Sequence, residues 1–135
     1  MKRIASLCLA LCALQGCATS VRPYDGPFGV YSDVNLGGAL TRVTFKGGPL
    51  MLPQSAHDLV LLRAAEIALQ RGVPYFQSVY ENLQISRGAA EFGATNSLNE
   101  VIVVRFFQKI PEERGVPYFD AADLVRRISA KYKTS

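Results

Sequence analysis

The sequence predicts an α+β fold in the order ββαββα, a four-stranded antiparallel sheet with two helices packed on one face. Three observations carry that expectation. Short alternating apolar and polar runs bounded by Gly and Pro mark strands, and two longer stretches with apolar residues three and four apart mark helices. Val101-Ile102-Val103-Val104, apolar on both faces, marks a strand in the middle of the sheet.

The first strand is expected over 29–36 and the second over 40–46, with Thr41, Val43 and Phe45 on one face and Arg42, Thr44 and Lys46 on the other. Gly37-Gly38 between them is a hairpin signal, because such turns need positive φ. Gly47-Gly48-Pro49 ends the hairpin. Ser55, with Asp58 three residues on, resembles a capping arrangement, and a helix over 56–71 then stops at Gly72. Its polar stripe is Arg63, Glu66 and Gln70. Val60, Leu61, Ala64, Ala65, Ile67 and Ala68 form a broad apolar surface whose alanines allow close approach to a sheet. Strands are expected over 73–85 and 100–108, separated by a Gly, Ala, Ser and Asn-rich connection over 86–98. Asp120 caps a final helix from 121 to about 132, with Phe119 placed to staple onto Leu124. Leu124, Val125, Ile128 and Tyr132 form its core stripe, and Arg126, Arg127, Lys131 and Lys133 are solvated.

Ahead of this fold stands a different kind of segment. Met1-Lys2-Arg3 is cationic, residues 4–14 are apolar, and the run closes on Leu14-Gln15-Gly16-Cys17. An apolar stretch that short does not span a bilayer, which takes roughly 20 residues, so it reads as an export signal. The closing tetrapeptide resembles the lipobox of bacterial lipoproteins in all four positions. That resemblance implies cleavage between Gly16 and Cys17, a diacylglyceryl thioether on Cys17, and acylation of the new amino terminus. Several acyl chains together anchor stably where one holds only marginally. Ala18, where an Asp would favour inner-membrane retention in enterobacterial-type sorting, implies an outer-membrane destination facing the periplasm. The chain thus divides into a lipoprotein signal peptide over 1–16, a lipidated N-terminus and tether over 17–27, and an α+β domain over 28–135. Residues 18–27 contain Pro23, Gly26 and Pro27 and reach at most about 35 Å.

Removing Lys2 and Arg3 takes the basic count from 15 to 13 against 11 acids, and the formal charge from +4 to +2. That is a weak footprint for a nucleic-acid partner, and none is expected. Cys8 and Cys12 leave with the signal, so Cys17 alone remains and no disulfide supports the fold. Stability must come from a packed core.

Little chemistry is legible. Ser55, His57 and Asp58 hold the residue types of a hydrolase triad, but neighbouring helical side chains diverge, and helix capping explains them better. No histidine, cysteine and carboxylate spacing supports zinc, and no acidic loop supports calcium, so neither metal nor cofactor is expected. Glu112-Glu113 reads as solvated charge. The glycine pairs lack a phosphate-loop lysine. Arg71-Gly72-Val73-Pro74-Tyr75-Phe76 recurs as Arg114-Gly115-Val116-Pro117-Tyr118-Phe119, but the flanks do not align, which favours coincident turn chemistry over duplication.

Leu61-Leu62-Arg63-Ala64-Ala65-Glu66, followed by Gly72 and Phe76, resembles a family of small proteobacterial lipoproteins of uncharacterised function. In that family an Arg-Ala-Ala-Glu helix precedes a Gly-x-x-x-Phe start of a strand and follows a Tyr-containing hairpin, here Tyr31 to Phe45. Tyr118-Phe119-Asp120-Ala121 is similar to its C-terminal helix start, with Phe119 as an insertion. The resemblance implies address and fold and supplies no catalytic residue. The expected function is therefore a non-enzymatic envelope module held by lipid through Cys17 and working with an envelope protein partner. The alternative is a ligand-binding lipoprotein that takes a glycan or peptide on the aromatic surfaces around Tyr75 and Tyr118, with a hydrolase third.

Overall fold

The computed structural model describes residues 29–90, 93–112, 115 and 117–133. The expected signal peptide over 1–16, Cys17, the expected tether over 17–27, and Glu113 lie outside the described residues. Along the chain run β1 (Gly29–Gly37), β2 (Leu40–Gly47), α1 (Pro53–Gln70), β3 (Tyr75–Ala90), β4 (Gly93–Phe107), β5 (Phe119–Asp120) and α2 (Ala121–Lys133). All strands join one antiparallel sheet in the order β1-β2-β4-β3-β5. The α+β class and the antiparallel sheet with two helices are as expected. Among the described residues the strands number five and the order is ββαβββα, which corrects the expected four strands and ββαββα.

The fifth strand escaped the sequence because only two residues form it. Phe119 and Asp120 pair with Phe76 and Tyr75, so its existence depends on a partner more than 40 positions away rather than on any local pattern. A second correction concerns 86–98, expected as a connection. Ser86–Ser97 and Ala90–Gly93 are paired, so β3 and β4 form one long hairpin through this segment. Its small residues carry weak strand preference, and the ladder hydrogen bonds of the partner strand hold them extended.

Alternation sorts the sheet into two faces. Thr41, Val43 and Phe45 of β2, Leu98, Glu100, Ile102, Val104 and Phe106 of β4, and Phe76 of β3 are buried beneath α1. β4 lies at the centre, as its doubly apolar run requires. Ala56, Ala64, Ala65 and Ala68 have no exposed surface, so α1 lies close on the strands as its composition predicts. Gly72, at φ +67, ends α1. The N–H groups of Gly72 and Val73 donate to the carbonyls of Leu69 and Ala68, the paired C-terminal bonds that a left-handed residue permits.

The start of α1 differs from expectation. The helix begins at Pro53, Leu52 is the N-cap residue, and no side chain caps it. Proline suits the first helical position because its missing N–H would have no intrahelical partner. Ser55 is therefore already inside the helix. In α2, by contrast, Asp120 Oδ1 accepts from the N–H of Asp123 at 3.0 Å, the expected cap. Phe119 stacks on Phe76, ring centroids 5.2 Å apart, and packs against the buried cluster that contains Leu124. Leu124 and Ile128 are buried, with Val125 and Tyr132 packed beside them. α2 returns antiparallel to α1: the N–H of Ala121 donates to Pro74 O just after the end of α1, while Lys131 and Tyr132 reach Asp58 in its first turns.

The two copies of the hexapeptide converge. Phe76 pairs with Phe119 across β3 and β5, and Tyr75 meets Tyr118 edge-on at 5.8 Å. In each copy the final Phe lies in a strand, Phe76 in β3 and Phe119 in β5.

Candidate functional site

Two places hold side chains that the fold itself does not require to be where they are. The first is a histidine and glutamate pair. His57, in the second turn of α1, lies over Glu100 of β4, with His57 Nδ1 2.7 Å from Glu100 Oε1. His57 is about one-third exposed, whereas the Glu100 side chain is almost fully buried and its Oε2 has no hydrogen-bond partner. Asp58 does not contribute. Its carboxylate accepts from Gln54, Lys131 and Tyr132 and joins the two helices. Burial would raise the Asp58 carboxyl, but hydrogen bonds from Lys131 and Gln54, the Lys131 charge and Tyr132 outweigh it and hold it below the ordinary range.

Expected capping thus explains neither Ser55 nor Asp58, and the real partner of His57 lies 43 positions away. A carboxylate orienting an imidazole is two-thirds of a nucleophile-activating triad. Among the described residues, no hydroxyl or thiol is hydrogen-bonded to His57. The pair can orient a ring and hold a proton, and lacks a described group to activate.

Desolvation pushes the Glu100 carboxyl above 4.5, its ordinary value, and outweighs the hydrogen bond and charge of His57; Glu81 and Asp58 add like-charge repulsion. The fold therefore favours the protonated form. That contribution to stability is complete below pH 4.5 and is lost as pH rises through the elevated value. Glu100→Gln, neutral throughout, should show a flatter denaturation midpoint over this window than the native protein. A constant difference between the two from acid to neutral pH would contradict the assignment.

The second place is the face of the sheet opposite α1. A β-bulge at Val79 shifts the register of β3 between Ser78 and Tyr80. Without it, Tyr80 would follow Phe76 and Ser78 onto the α1 side; with it, Tyr80, Asn82 and Gln84 stand opposite Val103, Val101 and Asn99 on the open side. Arg42, Thr44 and Lys46 of β2 share that side. Together these strands line an open depression of about 540 Å³. Tyr80 is 52% exposed. Asn99 Oδ1 is buried there without a hydrogen-bond partner. The bulge left no sequence signal, since an extra residue in a strand only inverts the alternation after it.

Tyr75 and Tyr118, the expected binding aromatics, do come together, further along the same side of the sheet. Tyr75 also stacks on Phe107 at 6.2 Å, and Tyr118 is 43% exposed. Tyr31 packs against Phe45 at 4.9 Å and belongs to the core margin. Tyr24 lies outside the described residues, as does Gly16. Among the described residues, no group of three or more His, Cys, Asp or Glu side chains could hold a metal ion. No described helix is long and apolar enough to cross a membrane.

Arg63, expected on a polar stripe, is instead buried. Its guanidinium donates to Asp33 of β1 at 2.8 Å and to Glu66 at 3.4 Å. It ties the edge strand to α1, and its role is structural. Comparison of the chain with protein-family models, with curated proteins and with solved structures finds no match in any of the three.

Proposed function

We propose that the protein is an exported lipoprotein, anchored through Cys17 to a membrane and facing the periplasm, where it acts as a non-enzymatic interaction module. The single observation that supports the interaction role is the open sheet face: Arg42, Lys46, Tyr80, Asn82 and Gln84 stand on it beside Val101 and Val103, and neither described helix packs on it. The lipobox residues Leu14-Gln15-Gly16-Cys17 support the address. β1 starts at Gly29, only eleven residues beyond Ala18, so a domain on that tether works close to its membrane. The turn after β2 lies at this end of the sheet and carries Leu50, 94% exposed, and Leu52. Apolar residues at the tethered end suit an interfacial position.

A ligand-binding reading draws on the exposure of Tyr80 and Tyr118, which a purely structural module would not need. It differs from the first in what the open face contacts, not in where the protein resides. The anchor is tested by growing cells on labelled fatty acid. The native protein should take up the label and Cys17→Ser should take up none; label retained in Cys17→Ser would overturn the lipid anchor.

A further inference from the structure

We propose that the depression on the open sheet face binds an anionic oligosaccharide, a sugar chain carrying carboxylate or phosphate groups. The inference deepens the interaction-module reading and rests on it. It starts from a segregation of charge. Arg42, Lys46 and Arg105 project from the open side of the sheet, while Asp33, Glu81 and Glu100 alternate onto the α1 side. Asp120, at the β5 edge, has Oδ1 committed to the N–H of Asp123. The cations of the open face have no salt bridge among the described residues, a condition they share with Arg71, Arg87 and Lys109, whereas Arg63, Arg126, Arg127 and Lys131 all have one. Positive charge with no ion-pair partner on one face attracts an anionic ligand.

The rest of the surface selects a sugar over a peptide. The floor is formed by β2, β4 and β3, and β4 is paired on both sides. Its backbone groups are used in the ladder, so a peptide cannot add here as a further strand, and side chains alone must read the ligand. Those side chains include Asn82, Gln84 and Asn99, which both donate and accept and so match hydroxyl groups. Asn99 Oδ1 is an acceptor still without a partner. Tyr80, turned outward by the bulge, offers an aromatic face for an apolar sugar face. Arg42 and Lys46 are four residues apart on one strand, about 13 Å, a span longer than one sugar ring, so the ligand is an oligomer.

The test is calorimetric titration of the purified full chain, in detergent where it is extracted from membranes, with three probes: oligogalacturonate, a neutral maltooligosaccharide, and polyglutamate. Oligogalacturonate should bind, and weaken with added salt. The neutral sugar and polyglutamate should each bind at least tenfold more weakly. Arg42→Gln/Lys46→Gln and, separately, Tyr80→Ala should weaken oligogalacturonate binding at least tenfold and fivefold with unchanged melting temperature, while Arg126→Gln/Arg127→Gln on α2 should not. No binding of oligogalacturonate, or binding unaffected by the Arg42 and Lys46 changes, would overturn the proposal. Polyglutamate binding as tight and equally sensitive to those changes would overturn the sugar assignment but keep the open face as an interaction surface. The lipid anchor stands or falls separately, on the labelling of Cys17.

Discussion

Phe76→Ala should cost about 3–5 kcal/mol of folding free energy, the largest effect expected from one substitution in this fold. Phe76 has no exposed surface and sits where three elements meet. It packs against Phe106 of β4 at 6.3 Å, stacks on Phe119 of β5 at 5.2 Å, and pairs with Phe119 in the ladder. Truncation removes the transfer free energy of a large apolar side chain and leaves a cavity that the flanking rings cannot close without moving. Because β5 leads directly into α2, loosening Phe119 should also expose the amide groups of the first turn of α2 to hydrogen exchange. For a fold of ordinary stability, about 5–15 kcal/mol, the loss is a large fraction of the whole. Urea denaturation measures it. A loss below about 1 kcal/mol, the range of a volume-conserving swap, would mean that the Phe76 site is not packed as described.

The second large effect is an asymmetry across the buried ion pair. Asp33→Ala should destabilise by about 3 kcal/mol, and Arg63→Met by about half as much. The difference follows from what each change leaves behind. The Arg63 side chain is 7% exposed, and Asp33 at 2.8 Å is nearer than Glu66 at 3.4 Å, so removing Asp33 takes the closer of these two carboxylates from a guanidinium held away from water. Asp33 is 28% exposed on an edge strand and can regain water when Arg63 is replaced. Methionine also refills part of the apolar space that the arginine stem occupied. The double variant Asp33→Ala/Arg63→Met should be more stable than Asp33→Ala alone. Equal losses for the two single changes, or the reverse order, would contradict the burial assigned to the guanidinium.

The elements visible in the sequence were those with their own periodicity. The β1-β2 hairpin, the apolar surface of α1, the central β4 run and the capped α2 all carry signals within a few residues of one another. What the sequence hid depends on partners far along the chain. Arg63 looked like a member of a solvated stripe because its place between α1 and β1 is set by Asp33, 30 positions away. His57 and Asp58 looked like a helix start because Glu100 and Lys131 approach only in the folded chain. Ser55 suggested a cap, yet Pro53 was the better marker of the first helical position. The long β3-β4 hairpin has small residues where strand preference is weak, and the bulge at Val79 inverts an alternation that otherwise reads correctly. The open face was therefore only half legible: Arg42, Thr44 and Lys46 were placed together on one side of β2, whereas Tyr80, Asn82 and Gln84 join them only because of that bulge.

We propose that this fold works at a membrane through lipid on Cys17. The most direct test is the intact mass of the protein extracted from the membrane fraction of the cells that make it. The expected product is a chain lacking residues 1–16, with Cys17 at its amino terminus and the mass of a diacylglyceryl group and an acyl chain added there. A chain that retains residues 1–16, or one that starts at Cys17 with no added lipid mass, would contradict it.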